Sequence, residues 1–217
     1  MKQLLLAALA ASALALGSCK DEGTGKPYFE GPLTQELKDY TYFRNGTYWV
    51  YEDSATGDLD SFYVYDSQNF FTDYVDNSGE PLAKLEVFQY FTNSSYDGNT
   101  YYYLTDLINN RYSDHPEVTI LRVMERNDTN TLNHFVHYPL EVGKEYQYGT
   151  SLMQLADRPD KVNFKHTFDD VLVYQDFANN TEGGETIFYI AKNMGIIRKE
   201  IKHTSKVWNL VRYKIVQ

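Results

Sequence analysis

The chain has 217 residues, with 20 Lys and Arg against 30 Asp and Glu, a net charge of −10 and a single cysteine. That balance opposes nucleic acid and membranes held by charge as partners, and one cysteine excludes an intrachain disulfide. Twenty Tyr and twelve Phe point first to pleated, half-buried β surfaces and second to binding.

Residues 1–18 read as a leader. Lys2 supplies the positive start, Leu4 to Leu16 an apolar run of Leu, Ala and Ser, and Gly17 and Ser18 the small residues before a cut. The run is too short for a membrane span, which takes about 20 residues. Leu16-Gly17-Ser18-Cys19 resembles the lipobox of bacterial lipoproteins. The resemblance implies cleavage before Cys19, a diacylglyceryl group on its sulfur and acylation of the new amine. Two fatty chains suffice for stable anchoring, since each buried methylene contributes about 0.8 kcal/mol. Lys20-Asp21-Glu22 follows at once and resembles the export signal of surface lipoproteins in the Bacteroidota. The expected location is therefore the outer membrane, lipid-anchored and surface-exposed. Cleavage after residue 18 leaves 199 residues and, with Lys2 gone, a charge of −11. A chain of that size buries about 70% of its unfolded surface, enough for a core without metal or disulfide.

Residues 19–31, with Gly23, Gly25, Pro27 and Gly31, read as a lipidated flexible tether. Residues 32–217 read as one β-rich domain. Thr34 is placed to cap a short helix over 35–40, with Leu33 and Leu37 packing on one side. Strands are predicted at 47–53 and 60–66 around the turn 54–58, and at 70–76 and 82–91 around 77–81. Others follow at 100–105, 117–125 and 131–138, with 107–114 irregular or a single helical turn. Residues 139–149 turn into a further strand, and 162–178, 186–202 and 206–215 complete the set. Many short strands with short turns predict an antiparallel meander curling into a half-barrel or barrel, with a β-sandwich as the alternative. Gly46-Thr47-Tyr48-Trp49-Val50-Tyr51 echoes Gly143-Lys144-Glu145-Tyr146-Gln147-Tyr148, as two related half-sheets would. The run from Phe43 through Tyr51, then Pro139 to Gly143, Thr167 to Val171 and Tyr189 to Glu200, is similar to uncharacterised Bacteroidota lipoproteins with a β-rich, half-barrel-like mature domain. The resemblance bears on the fold and implies no catalytic residue.

Catalytic patterns are absent. There is no G-x-S-x-G, no H-E-x-x-H, no Walker loop and no G-x-G-x-x-G. His115, His134, His137, His166 and His203 are scattered, and the three-residue step from His134 to His137 puts them on opposite faces of a strand. Asp53, Asp58 and Asp60 cluster around Gly57 and offer oxygens to a calcium ion, although the spacing is not that of an EF-hand loop. A solvated hairpin tip is the plainer reading, and no other cofactor is expected. Tyr101, Tyr102 and Tyr103 alternate faces, so at least one ring is predicted to point outward as a stacking platform, and Phe70-Phe71, Tyr90-Phe91 and the Trp49/Tyr51 pair are alike in this. Asp53-Ser54-Ala55 resembles the O-glycosylation acceptor pattern of secreted Bacteroidota proteins, which implies a sugar on Ser54.

Three functions compete. A surface lipoprotein that binds glycan, lipid or an envelope protein without catalysis fits best. A hydrolase acting on an envelope or dietary polymer needs two convergent carboxylates or a Ser–His pair. A structural module would dock through its sheet edge or an aromatic patch.

Overall fold

The computed structural model describes residues 29–75, 79, 81–95, 100–108, 117–125, 132–138, 140–148, 151–178 and 184–217. The leader, Cys19, Lys20, Asp21 and Glu22 lie outside the described residues. The chain divides into two units, Met1–Glu30 with Asp73–Lys84, and Gly31–Thr72 with Leu85–Gln217. The described part of the first unit is strand apart from a bend at Gly79; the second holds the helix, the core and most of the strands.

The elements in chain order are β1 (Phe29–Gly31), α1 (Gln35–Thr41), β2 (Tyr48–Asp53), β3 (Leu59–Val75), β4 (Pro81–Ser94), β5 (Thr100–Ile108), β6 (Glu117–Glu125), β7 (Leu132–Tyr138), β8 (Glu145–Tyr148) and β9 (Ser151–Asp157). After these come β10 (Lys161–Asn163), β11 (Thr167–Asp169), β12 (Val171–Ala178), β13 (Glu185–Ala191), β14 (Gly195–Ile201) and β15 (Lys206–Lys214). The fold is mostly β and antiparallel with one short N-terminal helix, as the sequence predicts. One large sheet runs in the order β7-β6-β5-β4-β3-β2-β15-β14-β13-β12-β9-β8, with β1 on β4 and a separate β10–β11 hairpin. The meander therefore comes as two arms joined where β2 pairs with β15. The hydrogen-bonded path is open between β7 and β8 among the described residues, which corrects the closed-barrel form of the expectation.

The glycine echo is structural. Gly46 and Gly143 both take positive φ, 92° and 85°, a conformation that costs a side-chain-bearing residue strain. The Gly46 amide donates to the Val64 carbonyl on β3, and the Gly143 amide donates to the Leu155 carbonyl on β9. The next amides, Thr47 and Lys144, donate back to Arg44 and Glu141. Each arm thus opens with the same turn, and the aromatic three residues on, Trp49 or Tyr146, is buried.

Several strands depart from expectation. The stretches 60–66 and 70–76 form the single strand β3, because Ser67-Gln68-Asn69 holds no Gly or Pro to break it. The stretch 162–178 is three strands, interrupted after Asn163 and again at Asp170, whose φ is 48°. Strand β9 falls where no strand is expected. Residues 107–108, expected to be irregular, finish β5.

Helix α1 starts where the Thr34 hydroxyl accepts from the Leu37 amide, 3.3 Å away. It buries Leu37 and Tyr40 with Phe43 beyond its end, and Phe43 meets Trp49 edge-on at 5.0 Å while Tyr42 stacks on Phe88 at 3.9 Å. The core continues through Leu155, Leu172, Tyr174, Ile190, Ile197 and Leu210, all nearly or fully buried. Two polar clamps fix the helix. Arg158 donates to Asp170 at 3.1 Å and to Glu36 at 2.9 Å, and Lys192 pairs with Asp39 at 2.9 Å. On the other side the buried Glu86 carboxylate accepts from the Leu33 amide at 2.9 Å, from Lys38 at 3.0 Å and from Asn69 at 3.1 Å.

Burial works to raise the Glu86 carboxyl, but Lys38, Asn69 and the Leu33 amide outweigh it and hold it below its ordinary value. A carboxyl held low in the folded chain stabilises it above the unfolded pKa, about 4.3, and that contribution disappears as pH falls through the folded value. Urea unfolding measured from about pH 6 down to about pH 3 should show stability falling with acid. Glu86→Gln should be less stable at neutral pH and show a shallower acid slope; an unchanged slope would remove Glu86 from the cause.

Candidate functional site

Strand β3 builds the candidate site by its pleat. Phe62 and Val64 turn inward, Phe62 packing edge-on against Tyr51 at 5.8 Å and Val64 being almost fully buried. Their neighbours Tyr63 and Tyr65 therefore turn outward, with 49% and 41% of their surface exposed. Tyr48 of β2, 39% exposed, is the register partner of Tyr63. Tyr63 and Tyr65 lie 6.2 Å apart between ring centroids, and Tyr65 lies 6.2 Å from Phe91 of β4. Tyr48, Tyr63 and Tyr65 thus form an outward row across two paired strands, and the half-buried Phe91 extends it onto β4. The backbone register sets Tyr102 of β5 opposite Phe91, and sets Tyr101 and Tyr103 opposite the buried Thr92 and Tyr90. The side chains of Tyr101, Tyr102 and Tyr103 lie outside the described residues.

Beside the row stands positive charge. On β15, Lys214 is the register partner of Tyr48 and Arg212 that of Val50, and both cations are exposed. Neither forms an ion pair or side-chain hydrogen bond among the described residues. The nearest acid along β2, Glu52, is taken by Lys165 of the β10–β11 turn at 3.2 Å. That hairpin lies over β13 to β15 and β2. Phe164 packs edge-on to Tyr189 at 5.1 Å and under the Arg198 guanidinium at 4.6 Å, and His166 Nε2 lies 3.1 Å from the Val211 carbonyl. Arg198 is itself held by Glu200 at 2.7 Å and Asn209 at 2.9 Å. Burial acts to raise the Glu200 carboxyl, yet its bonds from Lys202 and Arg198 keep it below its ordinary value.

The other expected site residues do not converge. Asp53 accepts from the Ala55 amide at 2.9 Å, Asp58 from the Thr56 hydroxyl at 2.8 Å, and Asp60 from the Ser94 hydroxyl at 2.8 Å. Each carboxylate serves its own turn or strand, and among the described residues no three His, Cys, Asp or Glu side chains gather as a metal would need. Ser54 is exposed at the hairpin tip, and its hydroxyl accepts from Asn209 Nδ2 at 2.6 Å. His166 and His203 are exposed on separate elements; His115 and the side chains of His134 and His137 lie outside the described residues. Trp49 and Tyr51, expected among the outward aromatics, are buried and donate to the Met194 and Ile196 carbonyls at 2.6 and 2.8 Å. Tyr90 is buried as well, whereas Phe70 and Phe71 are exposed as expected.

Sequence reasoning missed Tyr48, Tyr63 and Tyr65. The signal was present in Phe62-Tyr63-Val64-Tyr65, where tyrosines alternate with residues the core requires. It also missed Asp176, whose Oδ1 is buried without a hydrogen-bond partner among the described residues and whose carboxyl burial pushes above its ordinary value. Comparison with family models, curated proteins and solved structures finds no match for the chain.

Outward rings contribute little to folding. Tyr63→Ala and Tyr65→Ala should each cost under about 1 kcal/mol, the lost ring pair included. Leu172→Ala, at a fully buried position, should cost about 2–5 kcal/mol. Denaturant melts of the three variants check this, and a Tyr63→Ala loss as large as that of Leu172→Ala would mean the ring is part of the core.

Proposed function

We propose that the protein is a lipid-anchored protein of the outer cell surface that binds carbohydrate on its exposed aromatic row and does not transform it. The row of Tyr48, Tyr63, Tyr65 and Phe91 carries this reading. Sugar rings present flat faces of C–H groups, and aromatic rings held in a line are the matching surface. Tyrosine suits the task because it offers a large rigid contact with a hydroxyl at its tip and little rotamer freedom to lose. The backbone beneath is paired on both sides, so the rings stand at fixed spacing before any ligand arrives. The lipobox-like Leu16-Gly17-Ser18-Cys19 and the Lys20-Asp21-Glu22 next to it support the surface location. A binding protein displayed there meets polymeric glycans without needing a deep pocket.

A glycan array probed with the full chain tests the binding half of the reading. At least one oligosaccharide class should be retained, and the Tyr63→Ala/Tyr65→Ala double variant should bind it at least about tenfold more weakly, a loss of about 1.4 kcal/mol. A blank array, or undiminished binding by the folded double variant, would overturn the assignment. Cell fractionation tests the other half: Cys19→Ala should move the protein out of the membrane fraction, and its retention there would refute the anchor.

A further inference from the structure

The charges beside the aromatic row narrow its ligand. This is an acidic chain in which anionic side chains outnumber cationic ones by 30 to 20. Most described cations near the sheet are neutralised: Lys38 by Glu86, Arg158 by Asp170 and Glu36, Lys165 by Glu52, Arg198 and Lys202 by Glu200. Arg212 and Lys214 break that pattern. They sit two residues apart on β15, exposed, without an acidic partner among the described residues, and in register with Val50 and Tyr48 at the start of the row. In a chain with surplus carboxylates, two cations left open beside stacked aromatics are complementary to an anion carried by whatever stacks there.

We propose that the row binds an acidic oligosaccharide whose sugars bear carboxylates, a uronate polymer, with Arg212 and Lys214 receiving the carboxylates while the sugar faces lie on Tyr48, Tyr63, Tyr65 and Phe91. This rests on the carbohydrate reading of the row and adds the ligand's charge. The guanidinium of Arg212 offers a planar fork that a carboxylate fills with two parallel hydrogen bonds. Lys214 adds a second positive point one strand pair from Tyr48. The centroid spacings, 6.2 Å from Tyr63 to Tyr65 along β3 and 6.2 Å from Tyr65 to Phe91 of β4, are on the scale of one sugar unit, with the Tyr63 and Tyr65 ring planes turned 61° from each other. Single-stranded nucleic acid also combines stacking faces with anionic charge. Its charge, however, sits on a backbone set apart from the stacking faces, whereas a uronate carries its carboxylate on the stacking ring itself, and Arg212 and Lys214 stand in register with Val50 and Tyr48 directly beside the row.

The test is calorimetric titration of the full chain with oligomers of galacturonate, glucuronate and guluronate, each beside its methyl ester, which keeps the shape and removes the charge. A thymidine oligonucleotide serves as the competing anion. At least one acidic series should bind at least about tenfold more tightly than its ester, and the preference should shrink as sodium chloride is raised. Arg212→Gln/Lys214→Gln should bring the acid down to the level of the ester while leaving the unfolding midpoint unchanged. Lys214→Arg should keep the preference. Esters that bind as well as acids would overturn the charge assignment and leave the carbohydrate reading standing. No binding by any of these oligomers would overturn the inference, and a blank glycan array beside it would overturn both. Oligonucleotide binding as tight as the best uronate would overturn the inference in favour of a nucleic-acid ligand.

Discussion

The pairing of β2 with β15 is the constraint on which the sheet depends. Strand β2 opens one arm and β15 closes the other, and their ladder is where the hydrogen-bonded path crosses between arms. Two side chains of β2 reinforce it beyond the neighbouring strand. Trp49 and Tyr51 reach past β15 to donate to the carbonyls of Met194 and Ile196, at the start of β14. Buried indole and phenol groups need such partners, because an unsatisfied buried donor costs about 1–3 kcal/mol. Gly195 between those two carbonyls is shaped to permit this. It has φ of 79°, and a methyl group there would come within 3.2 Å of the Phe43 ring. One small region thus ties β2, the β14–β15 hairpin and the residues following the helix together.

What could be read from the chain reflects this division of labour. Strand existence was legible wherever aromatic and β-branched residues alternate, as in β2, β6 and β15, since pleated packing selects them. The repeat of Gly46 and Gly143 was legible because a positive φ restricts residue type in a way that local sequence reports. Strand β9 was not, because Leu152, Met153, Gln154, Leu155 and Ala156 are helix-favouring residues held in a strand by pairing with β12 and β8. The sheet's long-range partners overruled propensity there. The direction of each aromatic was the least legible feature. A strand whose two faces both carry aromatics has the same alternation whichever face is covered, and only α1, packing on Trp49 and Phe88 through Phe43 and Tyr42, decides which side is inside. Hence Trp49 and Tyr51, expected outward, are core, and Tyr63 and Tyr65 form the candidate site.

The polar interior obeys the same logic as the core. Glu86, Asp170 and Glu200 each face burial that would raise their carboxyl groups, and each is surrounded by enough donors to reverse the effect. Tyr40 shows the opposite outcome: burial and the bond to Asp170 together push its hydroxyl far above the usual phenol range, so it is a neutral donor at any physiological pH. Glu86 ties Leu33 and Lys38 to Asn69 of β3, Tyr40 and Asp170 with Arg158 hold the helix to the start of β12, and Glu200 gathers Arg198 and Lys202. They are consumed by architecture, which leaves Arg212 and Lys214 as exposed charges with no structural task among the described residues.

Exposed aromatic rings on a β protein usually invite association, since a free strand edge and an apolar surface together template another chain. The row avoids this by its position. Strands β2, β3 and β4 are interior to the sheet order, with β15 on one side and β5 on the other, so their backbone groups are already paired along the path. A second chain laid on the row would find rings and no open ladder. The surplus of negative charge also opposes the approach of a second copy. Two exposed cations at the end of the row weaken that repulsion there. The row is thus an aromatic surface on interior strands, flanked by two exposed cations on an otherwise acidic chain, and the proposed ligand rests on those features.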